Sequence, residues 1–262
     1  MGRIRALFNN KQNGILNIYF TAGYPGLNDT ETIIRTLTEA GVDMIEVGMP
    51  YSDPMADGPT IQQSSSRAIK QGMTVDLLFR QVTKARQHSD VPLLLMGYLN
   101  QMMQYGMEQF VNKSVSAGID GLIIPDLPLD IYEKEYLDLI RQSGLDMVFL
   151  ITPQTVEERI RYIDSLSTGF IYMVSDASIT GAKSGISLKQ IEYFKRIEAM
   201  ELKNPRLIGF GISNAETFDK ACQYANGAII GSAFIKALEK SETDLERSIF
   251  EFIHSIRKPA TV

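Results

Sequence analysis

Short apolar runs of strand length alternate with amphipathic helical patterns along the whole chain, and this alternation limits the fold more than any other feature. Strands are expected at Ile15–Thr21, Met44–Gly48, Leu93–Gly97, Gly121–Pro125, Met147–Thr152, Phe170–Ser175, Leu207–Gly211 and Ala228–Gly231. Helices are expected near Thr30–Ala40, Ile61–Lys70, Val75–Gln87, Met102–Ala117, Ile131–Ser143, Val156–Ser165, Leu188–Met200 and Ala215–Ala225, with a last one from about Asp244 to Arg257. Capping boxes are expected at Asn28/Glu31, Asp130/Glu133, Thr155/Glu158 and Ser213/Glu216. Strands alternating with helices pair in parallel, and about eight such units in a chain of this size fit a closed (β/α)8 TIM barrel. We expect an N-terminal helix before the first strand and an extra helix in the wide gap between strands 2 and 3. No linker or composition break divides residues 1–262, so one domain is expected. A doubly wound open sheet is the alternative, but its Gly-rich first turn is not matched by Thr21-Ala22-Gly23-Tyr24-Pro25-Gly26.

The most informative stretch is Met44-Ile45-Glu46-Val47-Gly48-Met49-Pro50-Tyr51-Ser52-Asp53-Pro54-Met55-Ala56-Asp57-Gly58-Pro59. Side chains alternate along a strand, so Met44, Glu46 and Gly48 share one face and Ile45, Val47 and Met49 the other. An apolar strand thus carries one carboxyl, and the loop behind it presents Asp53 and Asp57. Burying a carboxyl is costly and raises its pKa, and chains that accept the cost commonly use the acid for proton transfer. The competing role for Glu46 is half of an ion pair inside the barrel, although few Lys or Arg residues occupy inward strand positions. For Asp57 and Asp53 the competing role is ordinary turn chemistry beside Gly and Pro.

In a barrel the working residues sit at the C-terminal strand ends and in the loops after them. Strands 7 and 8 end in Gly209-Phe210-Gly211-Ile212-Ser213 and Gly231-Ser232-Ala233. Glycines there admit a ligand to the backbone, and the free N–H groups of a helix start attract phosphate; the alternative is close helix–strand packing. The segment Ser175 to Gly185 is long, small-residue-rich and reads as a lid or as idle solvent-facing loop. Tyr172, on strand 6, offers a phenol to the pocket or fills the core.

The bulk properties exclude several classes. A net charge of −5 gives no nucleic-acid footprint. The longest apolar stretches, such as Val91-Pro92-Leu93-Leu94-Leu95-Met96, are far short of a membrane span, and Met1-Gly2-Arg3-Ile4-Arg5 lacks the apolar core of a signal peptide. Cys222 is the single cysteine, so no intrachain disulfide forms and a cytoplasmic setting is expected. With only His88 and His254, neither placed for chemistry, no metal site is expected.

Taken together, these residues resemble the tryptophan synthase alpha subunit over essentially the whole chain. The most specific match is Glu46 through Gly48 with Pro50-x-Ser52-Asp53-Pro54-x-Ala56-Asp57-Gly58-Pro59-x-Ile61-Gln62. Supporting matches are Phe20-Thr21-Ala22-Gly23-x-Pro25, Pro125-Asp126-Leu127-Pro128, Tyr172 with Ser175 and Thr180-Gly181, Gly209-Phe210-Gly211-Ile212, and Gly231-Ser232. The resemblance implies reversible retro-aldol cleavage of indole-3-glycerol phosphate to indole and glyceraldehyde 3-phosphate in tryptophan biosynthesis. It implies Glu46 as acid and then base, Asp57 as the carboxylate facing the ring nitrogen, and Tyr172 as a positioning phenol. Phe20, Leu95 and Leu127 would line an indole slot with Phe210 beside it, Thr180 would bind the substrate, and Gly181, Gly211, Gly231 and Ser232 would hold the phosphate. The resemblance further implies no cofactor in this chain and a beta subunit that carries pyridoxal phosphate (PLP) in an alpha2beta2 complex, with Pro50 and Asp53 at the interface. Two positions depart from the family pattern: Asp176 stands where arginine is frequent, and Gln101 where proline commonly follows the asparagine. A rival phosphate-barrel enzyme would need a lysine at a strand end, and none of the expected strand ends supplies one. A second rival, a catalytically idle partner-activating subunit, sits poorly with the presence of both Glu46 and Asp57.

Overall fold

The computed structural model describes residues 2–54, 57–175, 186–209, 211–239 and 244–257. Eight strands form a closed, all-parallel barrel in chain order, with β8 pairing back onto β1. They are β1 (Ile15–Thr21), β2 (Met44–Gly48), β3 (Leu93–Met96), β4 (Gly121–Ile123), β5 (Asp146–Ile151), β6 (Ile171–Val174), β7 (Arg206–Gly209) and β8 (Gly227–Ile230). Every residue of β1 and β2 is buried, as a parallel strand with helices behind it and a filled barrel before it requires.

Register assigns the two faces. Asn17 pairs with Met44 and Ile229, Tyr19 with Glu46, Glu46 with Leu94, Gly48 with Met96, and Tyr172 with both Leu150 and Leu207. Asn17 bonds Glu46 directly, so this set points into the barrel. The alternate residues, including Leu16, Ile18, Phe20, Val47 and Leu95, therefore face the helices.

The helices are α1 (Arg3–Asn10), α2 (Asp29–Glu39), α3 (Pro59–Lys70), α4 (Val75–Arg86), α5 (Leu99–Tyr105), α6 (Met107–Ser116), α7 (Leu129–Ile131), α8 (Leu137–Ser143), α9 (Glu157–Leu166), α10 (Leu188–Glu198), α11 (Ala215–Cys222), α12 (Ser232–Glu239) and α13 (Leu245–Arg257). The N-terminal helix and the extra helix between β2 and β3 are both present, as α1 and as one of the pair α3 and α4. The expected helix over Met102–Ala117 is instead two, broken at Gly106, whose φ of +89° no L-residue adopts comfortably. The expected Ile131–Ser143 helix is interrupted by a π-helical turn at Tyr132–Tyr136. Gly41 and Gly118, both with φ of +81°, end α2 and α6 alike and redirect the chain into a strand.

The expected capping boxes are corrected by local competition. Asp29 takes the Gly26 N–H instead of Asn28 capping its helix, and Thr155 Oγ1 accepts from Thr152 N. The helix expected to start at Asp130 begins instead at Leu129, with Pro128 in the position before it and no side-chain capping bond. The box near Ser213 is displaced by one residue, with Asn214 Oδ1 accepting from Thr217 N at 2.9 Å. At the N-terminal end of the barrel, Asp43 accepts from Lys11 Nζ at 2.7 Å and from Leu16 N at 2.8 Å and also pairs with Arg257, tying α1 and α13 to the strands. The charged framework lies at that end, away from the strand ends where barrel chemistry collects.

Candidate active site

Glu46 reaches the barrel interior because β2 alternates and its neighbours on both sides keep register. Its side chain is 1% exposed. Asn17 Nδ2 donates to its Oε1 at 2.6 Å, and no Lys, Arg or His pairs with it among the described residues. The ion-pair alternative is therefore set aside. Burial pushes the Glu46 carboxyl up to about 8, and the Asn17 bond offsets only part of that. An acid with a value near neutrality is suited both to give and to take a proton.

Asp57 is not a solvent-facing turn residue: it is 6% exposed. Tyr98 Oη donates to its Oδ2 at 3.1 Å, and Gln62 Nε2 donates to its backbone carbonyl at 2.8 Å. Burial raises the Asp57 carboxyl above the ordinary range, with the Tyr98 bond acting against it. Tyr98 in turn stacks on Tyr51, with ring centroids 5.0 Å apart.

Two phenols complete the interior. Burial raises Tyr172 well above the usual tyrosine value, and the charges of Glu46 and Asp57 add to the effect. Tyr19 is shifted in the same direction by burial, then by Asp57 and Glu46. Glycines make room for both: a Cβ on Gly48 would lie 2.2 Å from the Tyr19 hydroxyl, and one on Gly209 would lie 2.4 Å from that of Tyr172. Gly209→Ala should therefore displace Tyr172 and lower kcat at least about tenfold, or 1.4 kcal/mol of barrier, while the far-UV circular dichroism spectrum stays native. Unchanged kinetics would show that Tyr172 has no exacting position.

The structure thus brings together Glu46, Asp57 and Tyr172 and adds Tyr19, Tyr98 and Asn17, which the sequence reading passed over. Two expected slot residues are corrected. Phe20 and Leu95 are fully buried, but their parity sends them outward against the helix layer. The inward residues beside them are Tyr19 and Met96. Leu127 is buried in the turn after β4, beyond the last residue whose direction the sheet dictates. Gly211, with φ of +76°, follows β7, and half-buried Gly231 precedes exposed Ser232 at the start of α12. Gly231 lines the barrel beside the Tyr19 ring, 3.3 Å from where its Cβ would stand. Thr180, Gly181 and Phe210, like Asp176, lie outside the described residues. Pro50 is half-buried, its carbonyl accepting from Gln101 Nε2 at 2.8 Å, and Asp53 is exposed and accepts from Ser52 Oγ. Gln101, the departure noted in sequence, sits within α5 and holds the loop after β2 through that bond.

No group of three or more His, Cys, Asp or Glu residues among those described is arranged to hold a metal. No described helix is long and apolar enough to cross a membrane.

Fold and site together define a class: a (β/α)8 barrel that holds two buried carboxyl groups, Glu46 and Asp57, among tyrosines in its interior. The family model for the tryptophan synthase alpha chain matches residues 6–260. The tryptophan synthase alpha chain of Flavobacterium psychrophilum is 58% identical over 242 residues, 92% of this chain and 94% of that one. That of Flavobacterium johnsoniae is 58% identical over 243 residues, 93% and 95% of the two chains. Among solved structures, a chain of the tryptophan synthase complex from Pyrococcus furiosus superposes with a TM-score of 0.85 at 33% identity, covering 93% of this chain and 98% of that one. The tryptophan synthase subunit alpha of Legionella pneumophila gives a TM-score of 0.88 at 30% identity, covering 98% and 97%. The chain belongs to the tryptophan synthase alpha chain family.

Proposed function

We propose that Glu46, Asp57 and Tyr172 carry the family's reaction in this chain. As a tryptophan synthase alpha chain the protein is a carbon–carbon lyase that cleaves indole-3-glycerol phosphate to indole and glyceraldehyde 3-phosphate. It has no cofactor of its own; PLP belongs to the beta subunit, its partner in the complex. Cleavage requires C3 of the indole to gain a proton and the neighbouring glycerol hydroxyl to lose one as the carbon–carbon bond breaks. Glu46 serves as the acid and then as the base. The observation that carries this reading is a carboxyl buried without a cation, bonded to one amide, with a value near 8. Positive charge builds on the ring nitrogen as C3 is protonated, and a carboxylate at Asp57 stabilises it. Tyr172 and Tyr19 confine the ring and the proton path, and Met96 extends the inward wall at the mouth. Backbone N–H groups near Gly211, Gly231 and Ser232 receive the phosphate together with that of Gly181, and Thr180 binds the substrate beside it.

Pro50 and Asp53 form the partner-facing side of the loop after β2. Asp53 is exposed, and the loop continues through Tyr51, which stacks on the same Tyr98 that bonds Asp57. A cytoplasmic setting, with a single free Cys222, fits a biosynthetic enzyme that hands indole to its partner. The test is to mix the purified chain with a tryptophan synthase beta subunit and follow indole formation from indole-3-glycerol phosphate. Slow release alone and a rate at least about tenfold higher in the complex, about 1.4 kcal/mol of barrier, is the expected result. No indole from either sample would overturn the assignment of roles.

A further inference from the structure

Asn17 is out of place by every packing criterion. It lies in the middle of β1 with 0% exposure, and its register neighbours inside the barrel are Met44 and Ile229, both apolar. A leucine, with the same number and branching of side-chain heavy atoms, would occupy this position without desolvating an amide. Nδ2 has one partner, Glu46 Oε1 at 2.6 Å. Oδ1 is buried and makes no hydrogen bond among the described residues. An orphaned buried amide oxygen is costly and calls for a reason.

The reason follows from which groups face Glu46. From β1 it meets Asn17 and Tyr19, and from β3 Leu94. Tyr172 on β6 and Asp57 from the loop after β2 lie within electrostatic reach of the same interior. Asn17 is the one neighbour seen to bond it, and it carries a donor and an acceptor on one rotatable group. With Nδ2 toward Glu46 it donates to the ionised carboxylate. Rotated by half a turn, Oδ1 accepts the O–H of the carboxylic acid, and the separation of 2.6 Å suits that bond at least as well. We propose that Asn17 is a positioning residue that holds the Glu46 carboxyl in one place through both of its protonation states. It acts through the Glu46 carboxyl and not on the substrate. Its effect is to keep the acid aimed at the same point before and after the proton leaves, so that giving and retaking the proton need no side-chain search.

The inference rests on the reading that Glu46 is the reacting acid, and the experiment separates the two. Asn17→Leu removes both bonds while keeping the branched side-chain skeleton, at the cost of some added bulk. A bond to the charged form is the stronger of the two, so its loss should raise the Glu46 ionisation by about one pH unit, tenfold in the ionisation constant. This is read directly by carbon-13 NMR titration of the glutamate carboxyls, with Glu46 identified by its absence in Glu46→Gln. Asn17→Ser, which also withdraws the amide, should give the same direction and serves if the leucine variant folds poorly. The pH dependence of kcat/KM should move with the titration, and kcat should fall more than KM rises. A Glu46 titration unmoved in both variants would overturn the role of Asn17. A titration that moves while the kcat/KM profile stays fixed would instead overturn Glu46 as the reacting acid.

Discussion

Glu46→Gln should lose turnover by about a thousandfold or more and at the same time make the protein more stable at alkaline pH. The first effect follows from removing the carboxyl that burial brings to about 8, where it can give and take a proton near neutrality, since general acid–base contributions run to about 10²–10⁴. The second follows from linkage. The carboxyl rises from 4.5 to about 8 on folding, so the native state holds this proton more tightly than the unfolded chain. The associated stability is fully present below pH 4.5 and is lost as pH climbs through the window up to about 8. At about 1.4 kcal/mol per pH unit, the ionised acid costs the fold of the order of 4–5 kcal/mol relative to a neutral isostere. Glutamine keeps the shape and accepts from Asn17 Nδ2. Urea unfolding of both proteins at pH 5, 6.5, 8 and about 9.5 should show a difference that is small at first, widens with pH up to about 8 and levels off above it. A difference that does not change with pH would mean that Glu46 is not the buried, proton-holding acid the barrel makes of it.

That acid was legible in the sequence, and so was the barrel around it. β1 and β2 begin and end where their apolar runs do, and Glu46 stands out as the sole charge on its strand. What misled was the choice of face. On a strand buried on both sides, hydrophobicity does not distinguish inside from outside, so nothing in composition corrects the slot residues Phe20 and Leu95 that the resemblance implies to Tyr19 and Met96. Register with β2 decides between them, and register is not a property of one strand. A subtler signal was nonetheless present. In Ile15-Leu16-Asn17-Ile18-Tyr19-Phe20-Thr21 the polar atoms fall at every second residue, on Asn17, Tyr19 and Thr21. A strand that confines its polar groups to one of two buried faces marks the face that does chemistry. Gly48 and Gly209 carried a matching signal, because the space they leave is filled by a tyrosine from elsewhere along the chain. Asp57 gave no comparable hint: Asp-Gly-Pro reads as a turn wherever it occurs, and only the fold puts its carboxyl under Tyr98.

Asp57→Asn should reduce kcat and kcat/KM together by well over tenfold, that is by more than about 1.4 kcal/mol of transition-state stabilisation. Asparagine retains the volume and still accepts from Tyr98 Oη through Oδ1, so the variant removes charge and little else. If Asp57 acts on positive charge that appears only as C3 is protonated, the loss falls on the transition state and leaves KM nearly unchanged. A turn residue would behave otherwise, with kinetics near wild type and a lower melting temperature. Tyr98→Phe gives the intermediate case. It withdraws the bond that opposes the effect of burial, so the Asp57 carboxyl should rise further and its ionised form should appear only at higher pH. Activity of Tyr98→Phe should therefore be depressed most on the acid side and recover as pH increases, whereas Asp57→Asn should stay low at every pH. The contrast between the two profiles isolates the charge of Asp57 from its place in the loop: a Tyr98→Phe defect of equal size at all pH values would assign the tyrosine to packing against Tyr51 and not to holding the carboxylate.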